Sequence, residues 1–136
     1  MQRFIDAQET IYAIALAEIK TGNKHGHWMW YIFPQIQGLG FSEMSEQYAI
    51  KTLEEAAAFL QHPLLRSRLV EICNALLALE SNGAYSIFGS PDDAKLKSSM
   101  TLFSLVKNAD PVFQRVLDKF FNGLKDLQTL RILKET

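Results

Sequence analysis

The residues best suited to chemistry lie in one segment, residues 24–40, which contains two of the three histidines and both tryptophans. His27 stands directly before a run of aromatic side chains. A histidine beside an aromatic wall can donate a hydrogen bond or transfer a proton near neutral pH, and aromatic faces stack on bases and similar rings. We therefore predict His27 as a proton-transfer residue. The predicted ligand contacts of this segment are Trp30, Tyr31 and Gln35.

The same aromatic run also has a purely structural interpretation. Residues 28–33 are apolar on every side, and such an element is either buried or lines a cavity. Tryptophan and tyrosine commonly anchor small helical cores because they bury large areas. Both interpretations stay open: most of the run belongs to the core, or one or two rings form a pocket wall.

No metal site or cofactor is predicted in this segment. His25 and His27 form a pair, but no cysteine or acidic residue supplies a third ligand at a typical spacing. Gly38 and Gly40 lie in a flexible loop that could bring backbone amides close to an anion. The loop is not a dinucleotide-binding fingerprint, since no strand precedes it and the third glycine is missing.

A second polar cluster opens the helix predicted from residue 90. At 100° per residue, Lys95 and Ser99 continue along the helix to Phe103, which is expected in the core. A row of core-facing side chains that becomes polar near the N-terminus of a helix is typical of a pocket wall. Helix N-termini also favour anions. We predict that Lys95, Ser98 and Ser99 bind a phosphate or carboxylate. The alternative, that this end of the helix only reaches solvent, stays open.

Two acids, Asp92 and Asp93, occupy the first turn of the same helix. Acids at this position usually stabilise the exposed amides, a role that we assign to at least one of them. Asp93 is the second predicted proton-transfer residue. Ser98 and Ser99 lack the sequence motif that surrounds a nucleophilic serine. Cys73 lies on the buried stripe of its helix, so it is predicted as a core residue.

Helices are predicted to position all of these residues. A capping box at Thr52 and Glu55, prolines in first turns and a stop at Gly123 mark helix ends. No stretch shows the two-residue alternation of a strand. The predicted fold is an all-α, single-domain bundle of about six to seven helices over residues 1–136, with an aromatic-rich segment near residues 25–41. Apolar periodicity places helices at residues 3–20, 52–60, 63–80, 90–107, 111–122 and 126–134.

Composition argues against several classes of function. The chain has 136 residues and a net charge of -1, without the basic surplus of a nucleic-acid binder or a polybasic membrane anchor. No apolar run approaches the ~20 residues that span a bilayer. A single cysteine allows no internal disulfide, and no signal pattern opens the chain, so the expected location is cytoplasmic. The sequence does not indicate an oligomeric state.

Several blocks of the sequence resemble the family known as domain of unknown function 1810. The resemblance implies a mostly helical single domain, without an established activity, and its signature blocks coincide with the two polar regions described above. A fainter resemblance connects Tyr48, Phe88-Gly89 and Asp92-Asp93 with the NADAR proteins, which act on ADP-ribose-linked metabolites. The blocks that carry the first resemblance are Arg3-Phe4, Ala7-Gln8, residues 27–35, residues 38–40, residues 48–50, residues 62–64 and residues 92–103.

The pairing of an aromatic wall with a helix N-terminus favours a small-molecule site. We expect this site to bind or hydrolyse a nucleotide-like ligand of the ADP-ribose type, which makes a phosphate-bearing small molecule the expected partner. The alternative is a non-catalytic module whose aromatic run forms a groove for a partner peptide or helix. A third possibility is a purely structural role for both regions.

Overall fold

Helices connected by short turns account for the fold. A computed structural model describes residues 1–135, with side chains through residue 134. The described part of the chain contains ten helices, so the predicted all-α class is confirmed and the predicted count of six to seven is wrong. The helices are α1 (Gln2–Gln8), α2 (Tyr12–Lys20), α3 (Met29–Ile32), α4 (Glu43–Gln47), α5 (Leu53–Gln61), α6 (Pro63–Ala78), α7 (Ala84–Phe88), α8 (Asp92–Ser104), α9 (Val112–Phe121) and α10 (Leu127–Glu135).

The helix predicted over residues 3–20 is broken into α1 and α2. Phe4 on α1 and Ala15 and Ile19 on α2 are all buried, so the apolar stripe continues across the break and conceals it. At the end of α1, the buried Gln8 side chain donates a hydrogen bond of 2.7 Å to the Tyr31 carbonyl. A tertiary contact thus fixes the side chain at the end of α1, and periodicity does not reveal it.

Three further helices, α3, α4 and α7, have only four or five residues each. A helix of one turn gives no repeating apolar stripe, and it is too short to be stable by itself. Its presence depends on packing and on local caps, such as the Ser42 hydroxyl that accepts the Ser45 amide at 3.1 Å before α4. These helices were absent from the predicted set for that reason.

Of three helix starts that local sequence signals predict, two are confirmed. The Thr52 hydroxyl accepts the Glu55 amide at 3.1 Å, as the capping box predicts, although the Glu55 carboxylate accepts the Lys51 amide. Pro63 begins α6. The helix predicted from residue 90 begins instead at Asp92, after Pro91, and has no side-chain cap.

Helix α8 is the central element of the core. Its Leu96 and the six residues from Ser98 to Phe103 are buried, and it packs against α9, α10, α7, α5 and α3. A helix that is buried around most of its circumference fixes its side chains firmly. Its amino-terminal turn, which carries Asp92 and Lys95, is therefore held in place by the rest of the domain.

The connection between α3 and α4 is anchored by a single parallel bridge. Ile36 pairs with Ile50, and the Ile50 amide donates to the Gln35 carbonyl at 2.9 Å. No strand occurs in the part of the chain that the structure describes, as predicted. Nor does any described helix combine the length and the hydropathy that a membrane span requires.

Candidate functional site

One carboxylate, that of Glu18 on α2, fixes the entrance to the aromatic segment. Its Oε1 atom accepts hydrogen bonds from the amides of His25 and Gly26, at 2.8 and 2.9 Å, and from the indole Nε1 of Trp28 at 2.9 Å. Gly26 is required here because a Cβ atom at this position would lie 2.7 Å from the Trp28 ring. We call this arrangement the Glu18 clamp.

The charge of Glu18 is favoured by the clamp. Burial by itself would raise the pKa of this carboxyl, but the hydrogen bonds from Gly26, His25 and Trp28 outweigh it and lower the pKa below the ordinary value of 4.5. Glu18 therefore stays ionised at neutral pH and holds the segment that leads into α3.

The aromatic run after the clamp is mostly core. Trp28 and Phe33 are buried, and their ring centroids lie 6.1 Å apart. Tyr31 is half-buried against Tyr48, with a centroid distance of 5.1 Å, and burial followed by the Coulombic effect of Tyr48 raises the pKa of its hydroxyl. Trp30 is also half-buried, and it is the ring of this run that reaches α8.

Trp30 meets α8 through Lys95. The Lys95 ammonium lies 4.6 Å from the centroid of the Trp30 ring and 3.2 Å from Asp92. The other oxygen of Asp92 accepts the ammonium of Lys24 at 2.7 Å. Lys24 is nearly buried, donates to the Gly26 carbonyl and lies over the Trp28 ring. The Asp92 carboxylate thus joins the Lys24–Trp28 contact and the Lys95–Trp30 contact to the start of α8.

A cleft of about 340 Å³ opens beside Lys95, and we call it the Lys95 cleft. It brings together residues from the loop after α3, the start of α8 and the start of α10. The predicted residues Gln35, Lys95 and Ser98 all line it, so the two polar regions of the sequence meet in space. Its complete lining is Gln35, Leu39, Gly40, Ser45, Pro91, Ala94, Lys95, Ser98, Asp126 and Gln128.

A smaller chamber of about 20 Å³ adjoins the cleft, and we call it the Trp30 chamber. Trp30 lines it, and it shares Gln35, Leu39, Gly40 and Ser45 with the cleft. The indole Nε1 of Trp30 is buried and has no hydrogen-bond partner among the described residues. A buried donor without a partner is costly, and the chamber is large enough for one small acceptor atom.

Asp126 lines the cleft and caps α10. Its Oδ2 atom accepts the Ser98 hydroxyl at 3.1 Å and both the amide and the hydroxyl of Thr129 at 3.0 and 2.5 Å. Its Oδ1 atom makes no hydrogen bond with the described residues. The side-chain amides of Gln35 and Gln128 likewise have no partner there, so three polar groups of the lining are available to a ligand.

The other predicted site residues lie outside the cleft. His27 is exposed. The Asp93 carboxylate accepts a hydrogen bond of 2.9 Å from the Ala94 amide. Tyr31 and Ser99 line neither the cleft nor the chamber. Ser99 is completely buried, and its hydroxyl has no hydrogen-bond partner among the described residues. The proton-transfer roles of His27 and Asp93 therefore stay predictions without a geometric link to the cleft.

Sequence reasoning missed Glu18, Lys24 and Asp126. The sequence places Glu18 only within an amphipathic helix, and its position seven residues before His25 gives no local signal. Asp126 was assigned only to the start of the last helix, although an acid followed three residues later by Thr129 indicates a cap. Its contact with Ser98 spans 28 residues. No group of three histidine, cysteine or acidic side chains in the described part of the chain could hold a metal ion.

Comparisons with known proteins agree with this fold along nearly the whole chain. The sequence profile described as "Protein of unknown function (DUF1810)" matches residues 1–133. The crystal structure of the conserved hypothetical protein Rv1873 from Mycobacterium tuberculosis is similar to this chain, with 43% identity and a TM-score of 0.96. The match covers 99% of this chain and 96% of that one. No curated protein matches the chain at a significant level.

Proposed function

The chain belongs to the DUF1810 family, as its signature blocks indicated, and we propose that it binds a small nucleotide-like ligand in the Lys95 cleft. The observation that carries this proposal is the convergence of Gln35, Lys95 and Ser98 on one cleft. The volume of about 340 Å³ lies at the lower end of the roughly 300–1,000 Å³ of small-molecule pockets. A ribose phosphate, the common part of ADP-ribose-type ligands, suits that size.

The lining favours a ligand with a phosphate at one end and hydroxyls at the other. Lys95 supplies the positive charge beside the first turn of α8, where the helix dipole also favours an anion. The free Oδ1 of Asp126 and the amides of Gln35 and Gln128 can accept and donate hydrogen bonds to ribose hydroxyls. The lining of the cleft thus includes both a cation and groups that can bind sugar hydroxyls.

The Trp30 indole is assigned a role different from base stacking. The ring face toward α8 is already occupied by the Lys95 ammonium, at 4.6 Å. A base would have to displace that cation, whereas the buried and unpartnered Nε1 needs an acceptor. Trp30 lines the Trp30 chamber, so we assign the role of this acceptor to a ligand oxygen bound there.

Binding has more support than hydrolysis. Neither His27 nor Asp93 lines the cleft, and a general base must come within hydrogen-bond distance of the proton that it removes. Asp126 is the carboxylate nearest to a ligand there, but its Oδ2 is committed to the start of α10. We therefore assign the cleft to recognition and assign no residue to a reaction.

The interaction-module hypothesis has less support. The rings of residues 28–33 are buried or half-buried, so they offer no open aromatic groove. Phe41 and Leu127, which flank lining residues of the cleft, are exposed, but isolated exposed apolar side chains are common on protein surfaces.

A thermal-shift series tests the proposed function. Ribose 5-phosphate, AMP and ADP-ribose are each compared with ribose and inorganic phosphate. A ligand at 100 times its Kd adds about 2.7 kcal/mol to the free energy of unfolding, which raises Tm by several degrees. We expect ribose 5-phosphate, AMP and ADP-ribose to raise Tm more than ribose or inorganic phosphate does. A series in which no compound raises Tm would contradict the proposal.

Two variants locate the binding. Lys95→Ala removes a charge-assisted contact of about 1.5–3 kcal/mol, so affinity should fall roughly 10- to 100-fold. Lys97→Ala is the matched control, because Lys97 lies over Phe121 and does not line the cleft. Equal losses in the two variants would mean that the ligand binds elsewhere. Trp30→Phe removes the N–H together with the five-membered part of the indole, so it tests the Trp30 chamber as a whole.

A further inference from the structure

A second cavity of about 360 Å³ lies away from the Lys95 cleft and shares no residue with it. It is formed by the end of α5, the first turns of α6 and the connection from α8 to α9. We name it the Arg66 pocket. Its floor is apolar: Phe113 is fully buried, Leu60 and Val106 are buried, and Ala57 completes the surface.

Two cations stand at the mouth of this pocket. Arg66 and Lys107 both line it, and neither side chain makes a hydrogen bond or an ion pair with the described residues. The one acid of the lining, Asp110, uses its Oδ1 atom to accept the Val112 amide at 2.8 Å, as the cap of α9. The mouth therefore carries an excess of positive charge above an apolar floor.

We propose that the Arg66 pocket binds a small carboxylate with a compact apolar or aromatic body. An apolar body would displace water from the floor, which is favourable. The carboxylate would lie between Arg66 and Lys107, where a guanidinium can hold both oxygens. The side-chain amides of Gln61 and Asn108 add donors at the same rim. This site is independent of the proposed function of the Lys95 cleft.

Benzoate is the probe for this pocket, and amide chemical shifts in a ¹H–¹⁵N spectrum are the measurement. We expect saturable shifts confined to residues 57–66 and 106–113. Benzamide has the same shape without the charge and should bind at least several-fold more weakly. Inorganic phosphate has the charge without the apolar body and should also be weaker. If either binds as well as benzoate, the assigned ligand class is wrong.

Charge-removing variants complete the test. Exposed ion pairs contribute modestly, so Arg66→Gln and Lys107→Gln should each weaken benzoate binding about three- to fivefold, and the double variant about tenfold or more. Arg131→Gln, at an exposed arginine of α10 outside the pocket, is the matched control. Lys95→Ala should leave benzoate binding unchanged. Wild-type affinity in the double variant, or shifts spread over the whole surface, would overturn the proposal.

Discussion

Replacing Glu18 by glutamine tests whether one carboxylate holds the aromatic segment in place. Three donors converge on its Oε1 atom at 2.8–2.9 Å. A hydrogen bond to a charged group contributes about 1.5–3 kcal/mol, against about 0.5–1.5 kcal/mol for a neutral one. Glutamine keeps a neutral acceptor but loses the charge. Because the site is partly exposed and the three bonds are not additive, we expect a loss of about 1–3 kcal/mol in the free energy of unfolding.

Urea denaturation followed by tryptophan fluorescence is the assay, since Trp28 is one of the three donors. Glu80→Gln, at an exposed acid without side-chain bonds, is the control and should stay within about 0.5 kcal/mol of the wild type. A Glu18→Gln variant as stable as this control would refute the clamp.

The stability difference between the wild type and Glu18→Gln should also depend on pH. The folded-state pKa of Glu18 lies below its ordinary value of 4.5, so its stabilising contribution is complete above that value and is lost as the pH falls through the folded-state pKa. The difference between the wild type and Glu18→Gln should be constant near neutral pH and should shrink below pH 4.5. A difference that grows on acidification would reverse the assigned sign.

Two further predictions concern α8 and α6. Ser98→Ala should lower the free energy of unfolding by about 1–2 kcal/mol because Asp126 loses a hydrogen-bond donor. Ser99→Ala removes a buried hydroxyl that has no partner, so it should leave the free energy of unfolding unchanged or raise it. Equal losses of stability for the two variants in urea denaturation would contradict this contrast. Burial, with Asp110 as a smaller cause, raises the pKa of the Cys73 thiol, so a disulfide reagent should label it only as fast as the protein unfolds; rapid stoichiometric labelling of the native protein would disprove that reasoning.

The sequence predicted those parts of the fold that depend on local chemistry. The cap at Thr52 and the proline that begins α6 act through atoms within a few residues, so their effect is legible in the sequence. The end of α1 is instead joined to Tyr31, 23 residues away, through the Gln8 side chain, a contact that no local signal shows. The one-turn helices owe their existence to such contacts as well, which is why periodicity did not show them.

The candidate site divides in the same way. Gln35 and Lys95 were predicted from residue type and position, and they do line one cleft. Trp30 was predicted as a stacking group, yet the structure covers one face with a cation and leaves its N–H without a partner. Ser99 follows Ser98 directly, but a step of 100° along α8 turns its side chain away from the cleft lining. Residue type indicates possible chemistry, and only packing decides which atom is available.

The two lysines around Asp92 explain how the Lys95 cleft could remain attractive to an anion. Lys24 is nearly buried and is held by Asp92, the Gly26 carbonyl and the Trp28 ring. Lys95 shares the same carboxylate at 3.2 Å and faces the cleft. Because Lys24 and Lys95 share the Asp92 carboxylate, that single negative charge only partly neutralises Lys95. Asp126 also lines the cleft and carries the opposite charge, so a bound ribose phosphate would orient its phosphate toward Lys95 and its hydroxyls toward Asp126.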